Sequence, residues 1–222
     1  MKFISPKFEF LNAPDQTEAL QLLDQIARIC QKSEGKATDD IESKTTLIRR
    51  IIDSGHALAI EHFTITVLAT CDQGVSHELV GYRIASYRQD STRYCNYSKD
   101  GFGTEIAYVD LTEGLACDKK VMGLSSDQVY AIYGEWMDAC IDAECHYMKM
   151  IELGATPQIA RSVLNNSTKT EIAITMNLRE WRQFFKLRTA PGVHPQMREL
   201  IEIMLNEFEQ RFPVFFAGLR ND

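Results

Sequence analysis

The spacing of hydrophobic residues predicts that much of this chain is helical. Across residues 15–33, leucines and isoleucines recur every three or four positions after an aspartate that suits a helix start. A second helix is predicted to begin at Thr38 and to stop at Gly55, because glycine is common just beyond a helix end. The same reasoning predicts further helices over residues 75–84, 126–153, 156–164, 178–187 and 195–211.

Two segments carry patterns typical of β-strands. Residues 63–70 (FTITVLAT) are rich in β-branched side chains, and the run is too short for an ordinary helix. Residues 169–176 (KTEIAITM) alternate polar and apolar side chains, as in a strand with one buried face. The polar stretch 86–103 is predicted to be a long loop, and long ordered loops are often functional. The predicted fold class is α+β, a helix-rich chain with a small mixed or antiparallel sheet.

Composition narrows the class of protein but names no function. With 222 residues, 45% of them hydrophobic and 25% charged, the chain resembles an ordinary soluble protein, and we expect residues 1–222 to form a single domain. The formal net charge of -7 repels nucleic-acid polymers, so we expect no such partner. No stretch approaches the roughly 20 apolar residues that span a bilayer, and no signal-peptide pattern is present. We therefore expect a cytoplasmic protein without a membrane partner.

The cysteines and histidines show no metal-binding pattern. The six cysteines are scattered without a CxxC pair, which favours free thiols in a reducing compartment. His56 and His62 lie near Glu61, but their spacing matches no zinc site, so we expect no bound metal. Cys95 follows Ser91 by four residues and could act as a nucleophile, but no general base is evident beside it. An unreactive thiol is the simpler interpretation.

Six arginines lie beside predicted loops or helix ends. They are Arg83, Arg88, Arg93, Arg161, Arg179 and Arg188. Arginine presents a planar fork of donors that matches phosphate and carboxylate oxygens, so this set suggests a site for a small anion. The alternative is that these side chains pair at the surface with some of the 31 acidic residues. Spacing alone leaves both interpretations open.

Four segments carry a combined pattern that is more specific. The first, ELVGYRIASYRQDSTRYCNYSKDGFG, contains Gly81-Tyr82-Arg83 followed by Ser91. The others are GHALAIEH at 55–62, GATPQIARSVL at 154–164 and TMNLREWRQFFKLRTAPGVHPQMREL at 175–200. Together they resemble flavin-dependent thymidylate synthases, whose signature is Arg-His-Arg followed after seven residues by serine. The resemblance covers most of the chain in the right order.

The resemblance implies an enzyme with the fold of that family. Such an enzyme methylates the pyrimidine ring of deoxyuridine monophosphate (dUMP) to give thymidylate (dTMP). Methylene-tetrahydrofolate would donate the carbon, and FAD reduced by NADPH would supply the hydride. Because the reduced cofactor can also carry the one-carbon unit, no cysteine nucleophile is needed. The family forms homotetramers whose subunits share active sites, so the resemblance implies the same assembly here.

The resemblance also assigns roles to individual residues. Those expected against the nucleotide are Glu78, Gln89, Ser91, Arg93, Arg161 and Arg188. Those expected against FAD are His56, Tyr82, Arg83, Gln89, Asn177, Arg179 and Gln183. The serine and the two arginines Arg93 and Arg161 would contact the phosphate. Arg188, the expected catalytic residue, would stabilise negative charge that develops on the pyrimidine. His194 could line the same site or serve only the start of a helix.

The signature departs from the family pattern at Gly81 and Tyr82. Glycine cannot replace the charge-assisted hydrogen bonds of an arginine, so the change bears on flavin affinity. Tyr82 could stack on a flavin ring, and Arg88 adds positive charge nearby. Three interpretations follow: a thymidylate synthase with an altered flavin site, a relative that modifies the pyrimidine of another nucleotide, and a nucleotide-binding protein or engineered variant without redox chemistry.

Overall fold

A computed structural model of the protein describes residues 1–30, 32, 33, 35, 37, 39–99 and 104–220. Within them, the strands are β1 (Lys2–Ile4), β2 (Lys7–Asn12), β3 (Thr64–Asp72), β4 (Ser86–Gln89), β5 (Ala107–Val109) and β6 (Lys169–Asn177). The α-helices are α1 (Gln16–Ile29), α2 (Ile41–Asp53), α3 (Gln73–Leu79), α4 (Thr112–Cys117), α5 (Ser126–Glu152), α6 (Pro157–Ala160), α7 (Leu178–Arg188), α8 (Pro195–Arg211) and α9 (Pro213–Phe216). Short 3₁₀ turns lie at Ala57–His62, Val121–Gly123 and Arg161–Val163.

A four-stranded antiparallel sheet lies at the centre of the fold. Its strand order is β2-β3-β6-β4, and β3 pairs with β6 from Thr64 opposite Asn177 to Asp72 opposite Lys169. A separate parallel pair joins β1 to β5. These pairings confirm the two predicted strands, and the abundance of helices around small sheets confirms the predicted fold class.

Capping interactions explain where the first helices begin and end. Asp15 caps α1 by accepting a hydrogen bond from the Glu18 amide at 2.9 Å. Asp40 caps α2, whereas the predicted cap, Thr38, lies outside the described residues. Gly55, with φ of 77°, adopts the left-handed conformation that glycine tolerates best, which confirms the predicted stop.

The main core lies between the sheet and helices α7, α8 and α9. Alternate side chains of β3 and β6 are buried and belong to the same cluster as the aromatic residues of those helices. The aromatic residues are Trp181, Phe184, Phe185, Phe208, Phe215 and Phe216, together with Phe212 between α8 and α9. The indole nitrogen of Trp181 also donates to the carbonyl oxygen of Ile65 at 3.1 Å. This packing fixes α7 against β3, and α7 carries the predicted site residues Arg179, Gln183 and Arg188 and is capped by a fourth, Asn177.

The long helix α5 supports the loop that follows β4. Its 27 residues confirm the prediction for 126–153, and Gly154 beyond its end has a φ of 95°. The helix buries one face against a second, smaller core. From that face, the Tyr147 hydroxyl donates to the carbonyl oxygen of Cys95 at 3.1 Å, and the ring meets Tyr97 edge-on. The loop is therefore held in place by its contacts with α5.

The structure contradicts the sequence prediction between residues 75 and 103. Helix α3 ends at Leu79 rather than at residue 84, and the segment Ser86–Gln89, predicted as loop, forms strand β4. The strand forms because β6 offers a free edge whose backbone groups β4 satisfies, although its polar residues show no apolar alternation. The predicted loop is shorter as a result, and its last part, residues 100–103, lies outside the described residues.

The structure bears on membrane spans, disulfides and metal sites only within the described residues. No helix among them has both the length and the apolar character needed to cross a bilayer. The six cysteines are all free thiols, as predicted. No group of three or more His, Cys, Asp or Glu side chains in the described ranges is arranged to hold a metal ion.

Candidate active site

The Gln89 side chain ties the end of β4 to two neighbouring elements. Its amide nitrogen lies 2.9 Å from Thr170 Oγ1 on β6, and 3.0 Å from Ser76 Oγ and 3.3 Å from Gln73 Oε1 on α3. The Thr170 hydroxyl in turn donates to the Asp90 carboxylate. Because Asp90 immediately precedes the Ser91–Arg93 segment, this network fixes where the loop after β4 begins.

The loop after β4 forms a turn that meets Arg161. In this turn, Ser91 Oγ accepts from the Arg93 amide at 3.4 Å, and the Ser91 carbonyl oxygen accepts from the Tyr94 amide at 3.0 Å. Arg161 Nη1 donates to Thr92 Oγ1 at 3.2 Å, across 69 positions of sequence. The three residues predicted to contact a phosphate are thus brought to one place.

Arg161 owes its position to a local break in helical structure. The predicted helix 156–164 consists of the single-turn helix α6, which begins with Pro157, followed by a 3₁₀ turn that starts at Arg161 itself. The arginine is exposed, and its recorded partner is the neutral Thr92 hydroxyl. Its positive charge is therefore left for another group.

Arg188, the predicted catalytic residue, is the last residue of α7, and its side chain contacts the C-terminal end of α3. Its Nη2 donates to the carbonyl oxygen of Glu78 at 2.8 Å, and its Nη1 lies 4.0 Å from Glu78 Oε2. A cation at a helix C-terminus also meets the negative end of the backbone dipoles. Only 23% of the Arg188 side chain is exposed, so the guanidinium is held in place rather than free in solvent. Glu78 and Arg188, both expected against the nucleotide, therefore lie in contact with each other.

Tyr87 of β4 completes the surroundings of Arg188. Its hydroxyl lies 2.8 Å from the Leu79 carbonyl oxygen and 2.7 Å from that of Tyr82, and it can donate to either. Burial raises the pKa of Tyr87 to about 12, although the charge of Arg188 acts in the opposite direction. Tyr87 therefore remains a neutral donor that holds the end of α3 and the following loop together.

Helix α3 connects the two groups of predicted nucleotide residues. Gln89 contacts its first turn and Arg188 contacts its last residues. A seven-residue helix rises only about 10 Å. The two groups therefore lie at opposite ends of one short helix.

The residues predicted to contact FAD gather at the start of α7. Asn177 caps this helix by accepting from the Glu180 amide at 2.9 Å. Arg179, one residue into the helix, pairs with Glu61 of the 3₁₀ turn Ala57–His62. Gln183 lies exposed one turn further along α7.

Two more of the predicted FAD residues flank this region. His56 is exposed just before the same 3₁₀ turn, with Nδ1 3.2 Å from Ser54 Oγ. Arg83 is exposed in the loop that precedes β4. The described residues thus bring together an exposed set of donors from three separate segments.

The Tyr82 side chain packs against α7 rather than pointing into solvent. Its hydroxyl donates to Glu180 Oε2 at 2.6 Å, and its ring meets Phe184 edge-on with centroids 5.4 Å apart. Burial, together with the hydrogen bond to Glu180, raises the pKa of Tyr82. The side chain therefore joins the loop after α3 to α7, which leaves less of its ring available to stack on a flavin than the sequence suggested.

Gly81 fits closely against the carbonyl group that Arg188 binds. A Cβ atom added at this position would lie 3.1 Å from the Glu78 carbonyl oxygen, a contact tighter than most. Any side chain here would press on that carbonyl group and on the arginine attached to it. Gly81 and Tyr82 are thus adapted to contacts within this chain.

A cavity of about 350 Å³ opens beside Glu78, and its walls include residues that sequence reasoning left aside or undecided. Asp72, His77, His194 and Gln196 all line it. Burial raises the pKa of Asp72, although hydrogen bonding from the Val75 amide and the nearby His194 act against this. Asp72 also caps α3, and the sequence analysis did not single it out. His194 does line a cavity shared with Glu78.

The environment of Cys95 agrees with an unreactive thiol. Burial and the nearby Asp90 carboxylate raise the pKa of this thiol, so the nucleophilic thiolate is disfavoured. The carbonyl oxygen of Cys95 serves as the acceptor for Tyr147. Cys95 therefore has a place in the loop that needs no chemistry.

The two interpretations of the six arginines can now be compared. Arg179 pairs with Glu61 and Arg188 contacts Glu78. Among the described residues, no carboxylate pairs with the remaining four, which are Arg83, Arg88, Arg93 and Arg161. Ion pairing thus accounts for two of the six arginines. The four arginines without a carboxylate partner favour the interpretation as an anion site.

Comparison with known proteins identifies the family. The model of the family described as "Thymidylate synthase complementing protein" matches residues 14–214. The chain belongs to this family. The match spans most of the sequence and confirms the resemblance that the four segments indicated.

Relatives of the family extend over much of the chain. The flavin-dependent thymidylate synthase of Geobacter sulfurreducens is 31% identical over 213 residues, which cover 92% of this chain and 82% of that protein. That of Pyrococcus horikoshii is 34% identical over 163 residues, which cover 73% of this chain but only 61% of that protein. The chain thus spans less than two thirds of the archaeal relative.

A solved structure shares the fold. The UMP/dUMP methylase PolB from Streptomyces cacaoi, bound with 5-Br dUMP, has a TM-score of 0.77 and is 25% identical to this chain. The alignment covers 97% of this chain and 95% of that one. The fold described above is therefore that of a known nucleotide methylase.

Replacing Tyr82 tests whether this residue is structural. The substitution Tyr82→Phe removes the hydrogen bond to Glu180 and should lower the free energy of unfolding by about 1 kcal/mol. The value is small for a bond to a charged acceptor because the bond is only partly buried. Tyr94→Phe, at a side chain that is 76% exposed, should change it by less than about 0.5 kcal/mol. Urea denaturation followed by circular dichroism measures both values. Equal values for the two variants would contradict the structural role.

Proposed function

We propose that the protein is a flavin-dependent thymidylate synthase that converts dUMP to dTMP. Methylene-tetrahydrofolate donates the carbon and NADPH is the source of the hydride. Membership of the family supports this assignment. The observation that carries it is the meeting of Arg161 with the Ser91–Arg93 turn at one end of α3, with Arg188 held by Glu78 at the other end.

The phosphate of dUMP binds between the turn and Arg161. Arg93 and Arg161 are exposed and lack carboxylate partners among the described residues, so each can form charge-assisted hydrogen bonds with phosphate oxygens. The Ser91 hydroxyl adds a neutral donor. The network around Gln89 keeps the turn in one conformation, which lowers the entropy lost when the nucleotide binds.

Arg188 acts on the pyrimidine. Its guanidinium is fixed by the Glu78 carbonyl group and stays charged at any working pH. A cation already in place stabilises negative charge as it develops on the ring, without reorganisation during the reaction. Glu78, whose carboxylate lies 4.0 Å from Arg188, would then face the base, whereas the Gln89 amide nitrogen is held by Thr170, Ser76 and Gln73 and would act by positioning the loop.

FAD would bind at the start of α7. His56, Arg83, Arg179 and Gln183 are exposed there and offer donors that suit the phosphates and polar ring edges of a dinucleotide. Asn177 orients the helix, and Tyr82 fixes the adjoining loop. When bound and reduced, the flavin supplies the hydride and carries the one-carbon unit. The residues present thus fit the cofactor, although Gly81 and Tyr82 themselves contribute little to it.

The protein's own contribution is position and electrostatics. The raised pKa of Cys95 keeps its thiol protonated, which agrees with a reaction that needs no cysteine nucleophile. We further propose that residues 1–222 act as one domain, that four copies assemble with shared active sites, and that the protein is cytoplasmic. Its partners would be dUMP and folate, with no nucleic-acid polymer and no membrane.

A second candidate function is methylation of UMP. The structural neighbour PolB is described as a UMP/dUMP methylase and aligns with almost all of this chain. The assigned phosphate and base contacts are common to both nucleotides, which differ at the 2′ position of the ribose. Discrimination would therefore rest on groups that contact the sugar.

An activity assay with the purified protein tests the proposal. Oxidation of NADPH in the presence of added FAD should accelerate when dUMP and methylene-tetrahydrofolate are supplied, and dTMP should appear as the product. If UMP serves equally well, the second candidate is correct. Protein that cannot be loaded with FAD, and that forms no methylated nucleotide, would leave only a nucleotide-binding role.

The variant Arg188→Ala tests the role of the fixed cation. We expect kcat to fall by about a hundredfold or more, the usual cost of losing one preorganised charge-stabilising donor, while bound FAD stays at the wild-type level. Arg49→Ala, at an exposed site on α2, is the matched control and should leave kcat unchanged. Steady-state kinetics and the flavin absorption band give the two readouts. A parallel loss of flavin and activity would assign Arg188 to the cofactor instead.

A further inference from the structure

A second cavity shares His194 with the cavity beside Glu78. It has a volume of about 340 Å³ and is formed by the loop before the 3₁₀ turn Val121–Gly123 and by the loop leading into α8. Lys119, Lys120 and Arg198 line it. Sequence spacing does not group Arg198 with the adjacent Lys119 and Lys120, because 78 positions separate it from Lys120.

The positive charge of this cavity is only partly neutralised within the described chain. No ion pair is recorded there for Lys119, Lys120 or Arg198. Asp118 is the carboxylate that lines the cavity, but its Oδ1 accepts from the Lys120 amide at 2.8 Å and from the Val121 amide at 3.1 Å. These hydrogen bonds and the nearby charge of Lys120 lower the pKa of Asp118, so the carboxylate stays ionised and offsets one of the three positive charges. An excess of positive charge remains in a protein whose net charge is -7.

His194 connects this cavity with the proposed nucleotide site. It lines both this cavity and the one that contains Asp72 and Glu78. The carbonyl group of Glu78 is in turn the partner of Arg188. The two cavities therefore lead from Glu78, the partner of Arg188, past His194 to the three cations.

The anions of the proposed reaction can be matched to the positive groups. The phosphate of dUMP is assigned to Ser91, Arg93 and Arg161, and the phosphates of FAD to the donors at the start of α7. The cations beyond His194 belong to neither set. Folate is the reactant left over, and it ends in glutamyl carboxylates that must leave the reaction centre in some direction.

We propose that the cavity formed by Lys119, Lys120 and Arg198 binds the glutamyl carboxylates of the folate co-substrate. The inference rests on the proposed function, since it takes folate as a reactant. Two exposed lysines and one half-buried arginine suit a flexible chain of carboxylates better than one compact phosphate, because lysine acts as a mobile point charge. Folate with several glutamates should therefore bind more tightly than folate with one.

Direct binding of folates to the holoprotein tests this site. Calorimetry on FAD-loaded protein with saturating dUMP should give about tenfold tighter binding of pentaglutamyl than of monoglutamyl methylene-tetrahydrofolate at low salt. The paired substitution Lys119→Gln with Lys120→Gln should remove most of that preference and leave monoglutamyl binding nearly unchanged. Both lysines are exposed, so folding should not suffer. Arg198→Gln provides an independent second variant.

The control is Lys149→Ala, which removes an exposed lysine that pairs with Glu152 on α5 and should leave the preference intact. Equal affinity of wild-type protein for the two folates would overturn the inference, and so would a preference that survives both variants. If the variants instead raise only the KM for NADPH, the cavity binds the dinucleotide's phosphate and the folate assignment is wrong. Failure of dUMP itself to bind would sink the proposed function, whereas dUMP binding without a glutamate preference would sink only this inference.

Discussion

The pairing of β4 with β6 is the constraint on which the candidate site depends. β4 contributes only four residues, yet its register sets Gln89 beside Thr170 and α3, and thereby fixes the turn that meets Arg161. The opposite end of β4 adjoins the loop that Tyr82 fastens to α7. If this short strand slipped by one residue, its side chains would change faces and both halves of the site would separate.

The protein is acidic overall but contains local clusters of positive charge. Carboxylates outnumber cations by seven, so unpaired arginines and lysines are not expected by chance in clusters. Yet Arg93 with Arg161, and Lys119 with Lys120 and Arg198, form such clusters on either side of α3 and His194. Anionic reactants would be drawn to these places while nucleic-acid polymers are repelled by the overall field.

The sequence predicted the elements whose signal is local. Helices α1, α5, α7 and α8 and strands β3 and β6 each carry a periodic pattern or a cap that can be recognised without knowledge of their neighbours. β4 escaped prediction because SYRQ has no apolar alternation and becomes a strand only through pairing with β6. In the site, the meeting of Ser91, Arg93 and Arg161 followed from family resemblance. The bond from Tyr82 to Glu180 and the basic cavity beyond His194 depend on tertiary contacts that no spacing reveals.

The central claim is that separated arginines converge to hold the phosphate of a uridine nucleotide. Isothermal titration of folded, assembled protein with dUMP measures that interaction without requiring flavin or turnover. We expect saturable binding that weakens by about tenfold or more in Arg161→Ala, because a charge-assisted phosphate contact is lost. Absence of binding heat at several temperatures, or an affinity that Arg161→Ala leaves unchanged, would contradict it.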